Sequence, residues 1–142
     1  MKLAEAIELA EKDENVRKLK GYFLVSCFAI IKDNNIDEWI LHYLNPNSKK
    51  IVDCFVGSDV KIGEAMPATG KMDRLEMKNI KISDEQALKK IKKTGQVLMV
   101  LHKKKLWTVN VIGKNLSVTS YDIDAETGKI VREETSSLVK IL

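Results

Sequence analysis

The sequence has few of the residues that mark catalytic and metal-binding motifs. Its 142 residues include two cysteines and two histidines, and it contains no Cys-x-x-Cys, no His-Glu-x-x-His and no glycine-rich phosphate-binding pattern. His42 is flanked by apolar residues and lies far from His102 in the sequence, so neither histidine has partners at the spacing of metal ligands. These absences exclude the common zinc and nucleotide motifs, and we expect no enzyme activity, no metal site and no cofactor.

The cysteines are too few for a disulfide framework. Cys27 and Cys54 both lie in apolar, strand-like patterns. This setting favours buried free thiols over a catalytic nucleophile, because a reactive cysteine needs an exposed, electropositive environment. A disulfide between Cys27 and Cys54 stays open if their two strands are neighbours.

Long apolar runs are also lacking. The longest, residues 22–31, is interrupted by Ser26 and has the length of a strand, far below the ~20 residues of a membrane-spanning helix. Glu5, Glu8 and Glu11 follow Met1 closely, so the N-terminal segment has no apolar centre like that of a signal peptide. We therefore expect a cytoplasmic protein, or an extracytoplasmic one if this chain is a mature form.

Charge is plentiful and unevenly distributed. The net charge is +4, and the segment 89–105 holds seven lysines and no acidic residue: Lys89, Lys90, Lys92, Lys93, Lys103, Lys104 and Lys105. One hypothesis is a basic module for anionic partners such as nucleic acid or an acidic surface. Arginine is scarce and no aromatic residue is interleaved for base stacking, which favours a solvated basic face instead. The asymmetry would also suit self-association.

Apolar periodicity predicts two helices. Leu3, Ile7 and Ala10 fall at i, i+4 and i+7 and predict a helix over residues 2–14. Ser83 and Gln86 have the spacing of a capping box and predict a second helix from Ser83 to a stop near 95.

Apolar and alternating stretches predict the strands, at 22–31, 38–44, 51–56, 97–101, 106–112, 116–123 and 130–133. Residues 57–83 lose this periodicity and are interpreted as a connector with short strands at 60–62 and 75–82. The apolar residues of the tail, 136–142, predict that it docks on the fold.

One hairpin stands out, Tyr121-Asp-Ile-Asp-Ala-Glu-Thr-Gly-Lys-Ile-Val131. We expect Asp124 to accept backbone N–H groups within the turn and Gly128 to supply a positive φ. Weak calcium binding by Asp122, Asp124 and Glu126 is conceivable, but a solvated hairpin end is the simpler interpretation, because no full set of oxygen ligands is visible.

A weaker version of this hairpin lies in the first half, where Leu44 aligns with Ile123 and Asn45 with Asp124. The helices align as well. We therefore predict an α+β fold of two tandem repeats, each with one helix packed on a three- to four-stranded antiparallel meander sheet. The predicted boundaries are 1–58 for repeat 1, 59–82 for a connector and 83–142 for repeat 2.

The second half resembles the PepSY domain family. The resemblance rests on the helix segment Ile82-Ser-Asp-Glu-Gln-Ala-Leu88 and on the hairpin from Tyr121 to Val131; it covers residues 82–134 well and 3–56 weakly. It implies a cystatin-like helix on a curved antiparallel sheet. It also implies non-catalytic work: binding or inhibiting peptidases, or acting as an interaction module.

Four strand aromatics are the candidate residues for that work: Trp39, Tyr43, Trp107 and Tyr121. They are expected to pack between helix and sheet, or to line a groove for a peptide or apolar ligand if one sheet face is open. An exposed edge strand would offer a peptide a second docking mode. We accordingly expect a protein or peptide partner.

Overall fold

The structure, a computed structural model, describes residues 1–137. Within them the chain forms three short helices, α1 (Leu3–Lys12), α2 (Glu14–Arg17) and α3 (Asp84–Lys89), and two 3-10 turns at Met77–Asn79 and Lys114–Leu116. The strands are β1 (Phe23–Ile31), β2 (Trp39–Asn45), β3 (Lys50–Val56), β4 (Val60–Ile62), β5 (Met66–Pro67), β6 (Gln96–His102), β7 (Leu106–Ile112), β8 (Ser117–Asp124) and β9 (Ile130–Ser137). The tail predicted to dock spans residues 136–142; Ser136 and Ser137 end β9, and residues 138–142 lie outside the described residues.

The predicted N-terminal helix is present but is interrupted at Asp13. Ala6 and Ala10 bury the apolar face of α1. Asp13 has an extended backbone, and its carboxylate accepts the N–H groups of Asn15 and Val16. Asp13 therefore ends α1 and caps the four-residue α2.

The predicted capping box opens α3. The Ser83 hydroxyl accepts the N–H of Gln86 at 3.2 Å, and the Gln86 side chain accepts the N–H of Ser83 at 2.8 Å. The helix ends at Lys89, earlier than predicted. Gly95 is not its stop but lies against the neighbouring strand, where a Cβ atom would stand 1.9 Å from the carbonyl oxygen of Ile112.

The connector is partly as predicted. The short strand at 60–62 is β4, whereas the predicted strand at 75–82 is wrong, since this segment forms the 3-10 turn Met77–Asn79. The backbone N–H of Leu75 donates to the carbonyl of Leu24. Those of Lys81 and Ile82 donate to the carbonyl of Ala125. These bonds fasten the connector across the helix side of the sheet.

The predicted fold class is wrong in its main feature. The strands form one nine-stranded antiparallel sheet in the order β4-β3-β2-β1-β6-β7-β8-β9, with β5 on β3, rather than two repeats each with its own helix-covered meander sheet. The join is the pairing of β1 with β6, in which Ala29 lies opposite Met99. Two separate meanders would leave β1 and β6 as unpaired edges, and pairing them satisfies those backbone groups.

The core lies between the helices and one face of this sheet. Trp39 and Trp107 are fully buried there, with ring centroids 6.3 Å apart. Each indole N–H donates to a backbone carbonyl, that of Met1 at 3.1 Å for Trp39 and that of Ile82 at 2.8 Å for Trp107. The two rings thus join the centre of the sheet to the segments that begin α1 and α3.

Candidate functional site

The face of the sheet opposite the helices carries an apolar row. Side chains alternate along each strand, and the residues facing away from the core are partly exposed. Phe28 pairs with Ile40 on one side and Val100 on the other, and Ile40 pairs with Phe55. We call these four residues the apolar row and this side of the sheet the open face. Ile30 and Leu98, a neighbouring cross-strand pair, extend the row.

A polar network borders the row on β1, β2 and β3. The Ser26 hydroxyl lies 2.7 Å from Nδ1 of His42, and Nε2 of His42 lies 3.5 Å from a carboxylate oxygen of Asp53. Burial lowers the pKa of His42, and the Asp53 carboxylate opposes this only in part. The imidazole therefore favours its neutral form; it is hydrogen-bonded to Ser26 and lies beside the Asp53 carboxylate.

A second network borders the row on β6, β7 and β8. The Thr108 hydroxyl donates to Asp122 at 2.7 Å and lies 2.7 Å from Nε2 of His102, so His102 must donate to Thr108 through its Nε2–H. Arg132 donates to Asp122 at 2.7 Å. Partial burial raises the pKa of Asp122, but hydrogen bonds from Arg132 and Thr108 outweigh burial and hold this pKa below its usual range. Burial and the charge of Lys103 lower the pKa of His102.

The first network contains the side chains of a hydrolytic triad but lacks its setting. A triad also needs backbone N–H donors aimed at a developing oxyanion. Ser26 lies in the extended strand β1, opposite His42, and successive N–H groups of an extended strand point to opposite sides and do not converge on one atom. We therefore interpret Ser26, His42 and Asp53 as a fixed polar border of the open face.

Sequence reasoning missed this network because it took His42 to have no partners. A usable signal was present in the predicted turn at 45–49. A hairpin closed there pairs Asn45 with Lys50 and, three positions further from the turn, His42 with Asp53. The turn alone therefore sets the carboxylate beside the imidazole.

The four candidate aromatics do not form an open groove. Trp39, Trp107 and Tyr121 are buried on the helix side, with Tyr121 only 7% exposed. Tyr43 is half-buried on the same side and borders a cleft beside α1. The residues of the apolar row, which lie on the opposite face, are only partly exposed.

The candidate lysines do not form one patch. Lys92 and Lys93 precede β6, whereas Lys103 and Lys104 follow it, and a seven-residue strand is roughly 20 Å long. Lys105 is held by an ion pair with Glu126. The remaining candidates, Lys89 and Lys90, lie at the end of α3.

The turn residues Asp124 and Gly128 lie as the hairpin pattern requires. The Asp124 carboxylate accepts the N–H groups of Glu126 and Thr127, and Gly128 has a φ of +82°. The carboxylates suggested for calcium have other partners, since Asp122 binds Arg132 and Glu126 binds Lys105. Residues 1–137 hold no group of three or more such side chains able to bind a metal ion.

Both cysteines are buried free thiols. Cys27 and Cys54 each lie opposite Leu41 of the intervening strand β2. Two strand spacings put their Cα atoms roughly 9–10 Å apart, too far for a disulfide. Burial raises the pKa of Cys54 to about 11 and that of Cys27 further, so neither thiol is a ready nucleophile.

The comparisons with known proteins concern the fold. No protein-family model matches the chain, and no curated protein matches it. Among solved structures, the chain is similar to a "putative lipoprotein" from Clostridium difficile 630, with a TM-score of 0.65 and 14% sequence identity over 96% of this chain and 93% of that one. None of the helices in the described part of the chain is long and apolar enough to cross a membrane.

Proposed function

We propose that the protein is a non-catalytic binding protein that holds a protein partner on the open face of its sheet. The observation that carries this proposal is the apolar row, Phe28, Ile40, Phe55 and Val100, which runs across four adjacent strands on the side opposite the helices. An antiparallel sheet that faces water normally alternates apolar-in and polar-out. Large apolar side chains in the middle of the outer face instead suit contact with another protein.

The layout of the open face resembles that of a protein–protein interface. Such interfaces have an apolar centre and a polar rim, and here the centre is the apolar row and the rim is the pair of histidine networks. Seven strands of the sheet are seven to nine residues long and lie about 4.8 Å apart, which gives a face of roughly 800 Å². This is the area that each partner contributes to a standard-size interface, about 800 Å².

The family resemblance supports the same class of function. PepSY-like sequences imply peptidase binding or a general interaction role, and we propose a peptidase as the first partner to test. The Clostridium difficile protein is described as a "putative lipoprotein", and lipoproteins are anchored at membrane surfaces. We therefore propose an extracytoplasmic setting ahead of the cytoplasmic one expected from the sequence.

A basic module for nucleic acid is the weaker hypothesis. The lysines needed for it lie at opposite ends of β6, and Lys105 is already paired with Glu126. Binding of this kind would also weaken steeply with salt, because it releases counterions from the nucleic acid.

Affinity capture from the native lysate at low and high salt tests the proposal. We expect the wild-type protein to capture a partner that survives high salt. Phe28→Glu places a charge in the centre of the row and should weaken binding by about 30-fold or more, the effect of losing an interface hot spot.

Two controls make this result specific. Val131 is 59% exposed and lies outside the row on β9, so Val131→Glu adds the same charge and should leave binding unchanged. Replacing Lys103, Lys104 and Lys105 with glutamine should also have no effect. Capture that resists Phe28→Glu but fails at high salt or in the lysine variant would contradict the open-face proposal and favour the basic module.

A further inference from the structure

A second concave site lies on the helix side, at one end of the sheet. It is a cleft of about 740 Å³ between α1, α2, the start of β1 and the connector. This volume is within the usual range of small-molecule pockets, roughly 300–1,000 Å³. No residue of the apolar row lines this cleft, so it is separate from the proposed protein-binding surface.

The interior of the cleft is apolar. Ile7 and Val16 line the helix wall, and Leu24, Tyr43 and Leu75 line the floor and the connector wall. Burial raises the pKa of the Tyr43 hydroxyl, so it stays protonated and remains able to donate a hydrogen bond. The walls would therefore suit an alkyl chain, with one polar anchor at the floor.

The charged residues at the mouth of the cleft, where it opens to solvent, differ in whether they have partners. Arg74 lies over the ring of Phe23, its guanidinium carbon 5.7 Å from the ring centroid, and is thereby held at the rim. Neither Arg74 nor Lys78 has a carboxylate within 4.0 Å among the described residues. On the same side, one carboxylate oxygen of Glu76 accepts a hydrogen bond from the Asn79 amide at 2.7 Å, and the carboxylate keeps its charge. The connector side of the mouth thus offers two cations for which residues 1–137 supply no ion-pair partner.

The opposite side of the mouth carries Glu11, on α1. Its carboxylate would repel an anion placed near the helix wall and so directs an anionic group toward the connector side. A ligand with one anionic end and one apolar end matches the two cations of the connector side, whereas a cationic head group would meet Arg74 and Lys78 as well as Glu11 and Glu76.

We propose that the cleft binds a single-chain amphiphile with an anionic head, such as a fatty acid, whose carboxylate contacts Arg74 and Lys78 and whose alkyl chain lies along Ile7, Val16 and Leu24. An arginine beside an aromatic ring is well suited to this role, because its planar fork can hold both carboxylate oxygens.

Methyl NMR with dodecanoate below its micelle concentration tests the proposal directly. The protein has five methionines; Met77 borders the cleft and Met66, 56% exposed on β5, does not. We expect saturable shifts of the Met77 methyl and none at Met66. Equal shifts at both methyls, or no shift at Met77, would overturn the proposal.

Variants of the protein distinguish recognition of the ligand's head group from recognition of its alkyl chain. Arg74→Gln should weaken dodecanoate binding on the order of tenfold, the effect of losing a hydrogen bond to a charged group, and should leave dodecanol binding unchanged. Lys61→Gln, a change of an exposed lysine on β4, is the matched control and should change neither. Met77→Trp should block the cleft, whereas Met66→Trp should not. Tighter binding of dodecyltrimethylammonium than of dodecanoate would refute the anionic head group.

Discussion

Two hairpin turns, each closed by an Asn or Asp side chain, allow the cost of a positive φ to be measured by adding a glycine in one turn and removing a glycine from the other. In the β2–β3 turn, Asn45 accepts the N–H groups of Asn47 at 2.9 Å and Ser48 at 3.2 Å. Asp124 forms the same pair of bonds in the β8–β9 turn, at 2.8 and 3.0 Å. Each turn then needs a residue with positive φ, which is Lys49 at +55° in the first and Gly128 at +82° in the second.

The magnitudes follow from the backbone. A non-glycine residue in the left-handed region costs about 1–2 kcal/mol, and glycine loses roughly 0.5–1 kcal/mol more chain entropy on folding than alanine. Lys49→Gly should therefore raise the free energy of unfolding by about 0.5–1 kcal/mol. Gly128→Ala should lower it by about 1 kcal/mol or slightly more, because the new Cβ atom would also stand 3.2 Å from the Ile82 methyl.

Urea denaturation of the two variants is the assay, with the midpoint and slope measured for each. Gly63→Ala is the matched control, since a Cβ atom there has only an ordinary 3.5 Å contact and its φ is not positive; it should change stability by less than about 0.5 kcal/mol. If Lys49→Gly destabilises the protein, or if Gly128→Ala behaves like Gly63→Ala, the argument from backbone conformation is refuted.

Three further changes test other parts of the structure. Lys103 and Lys104 form the turn between β6 and β7, with φ of +48° and +70°. Replacing them with Asn-Gly, the preferred pair for such a turn, should raise the free energy of unfolding in urea by about 1 kcal/mol or more. An Ala-Ala pair removes the same charges and should not stabilise the fold. Gly95→Ala places a Cβ atom 1.9 Å from a backbone oxygen and should destabilise by about 1–3 kcal/mol; an unchanged midpoint would mean that this approach is looser. Arg132 helps to lower the pKa of Asp122 in the folded protein. The contribution of Asp122 to stability is therefore present above the ordinary pKa of about 3.9 and is lost as pH falls through the folded pKa. Urea midpoints measured from neutral to acidic pH should fall less for Asp122→Asn than for wild type.

Local structure followed from the sequence where a short pattern determines it. The capping box at Ser83, the turn at Asp124 and Gly128, and the short strand at 60–62 depend on neighbouring residues, and each is found where it was predicted. The end of α3 and the 75–82 segment were wrong, because tertiary contacts decide them: Gly95 is fixed by the backbone of Ile112, and the connector is fixed by bonds to β1 and the β8–β9 turn.

Short local patterns could not predict the number of sheets or the position of the site. Pairing of β1 with β6 joins Ala29 to Met99, residues far apart in the chain, and no local pattern distinguishes this arrangement from two separate sheets. The site depended on which face of each strand is covered. Strand alternation places Trp39 and Ile40 on opposite faces of β2, but it does not show which of the two faces the helices cover.

Packing explains which face of the sheet the helices cover, and it has a consequence for the open face. The helices approach the sheet through small residues, Ala6, Ala10 and Ala87, all fully buried. They belong to the same core cluster as the large rings of Trp39 and Trp107, as expected where close packing sets small groups against large ones. The open face presents Phe28 and its neighbours in the apolar row, and no helix among the described residues supplies a matching set of small side chains. Small side chains cover the large rings on the helix side, and the open face lacks such a cover among the described residues. We infer that a partner bound there would place small residues over Phe28.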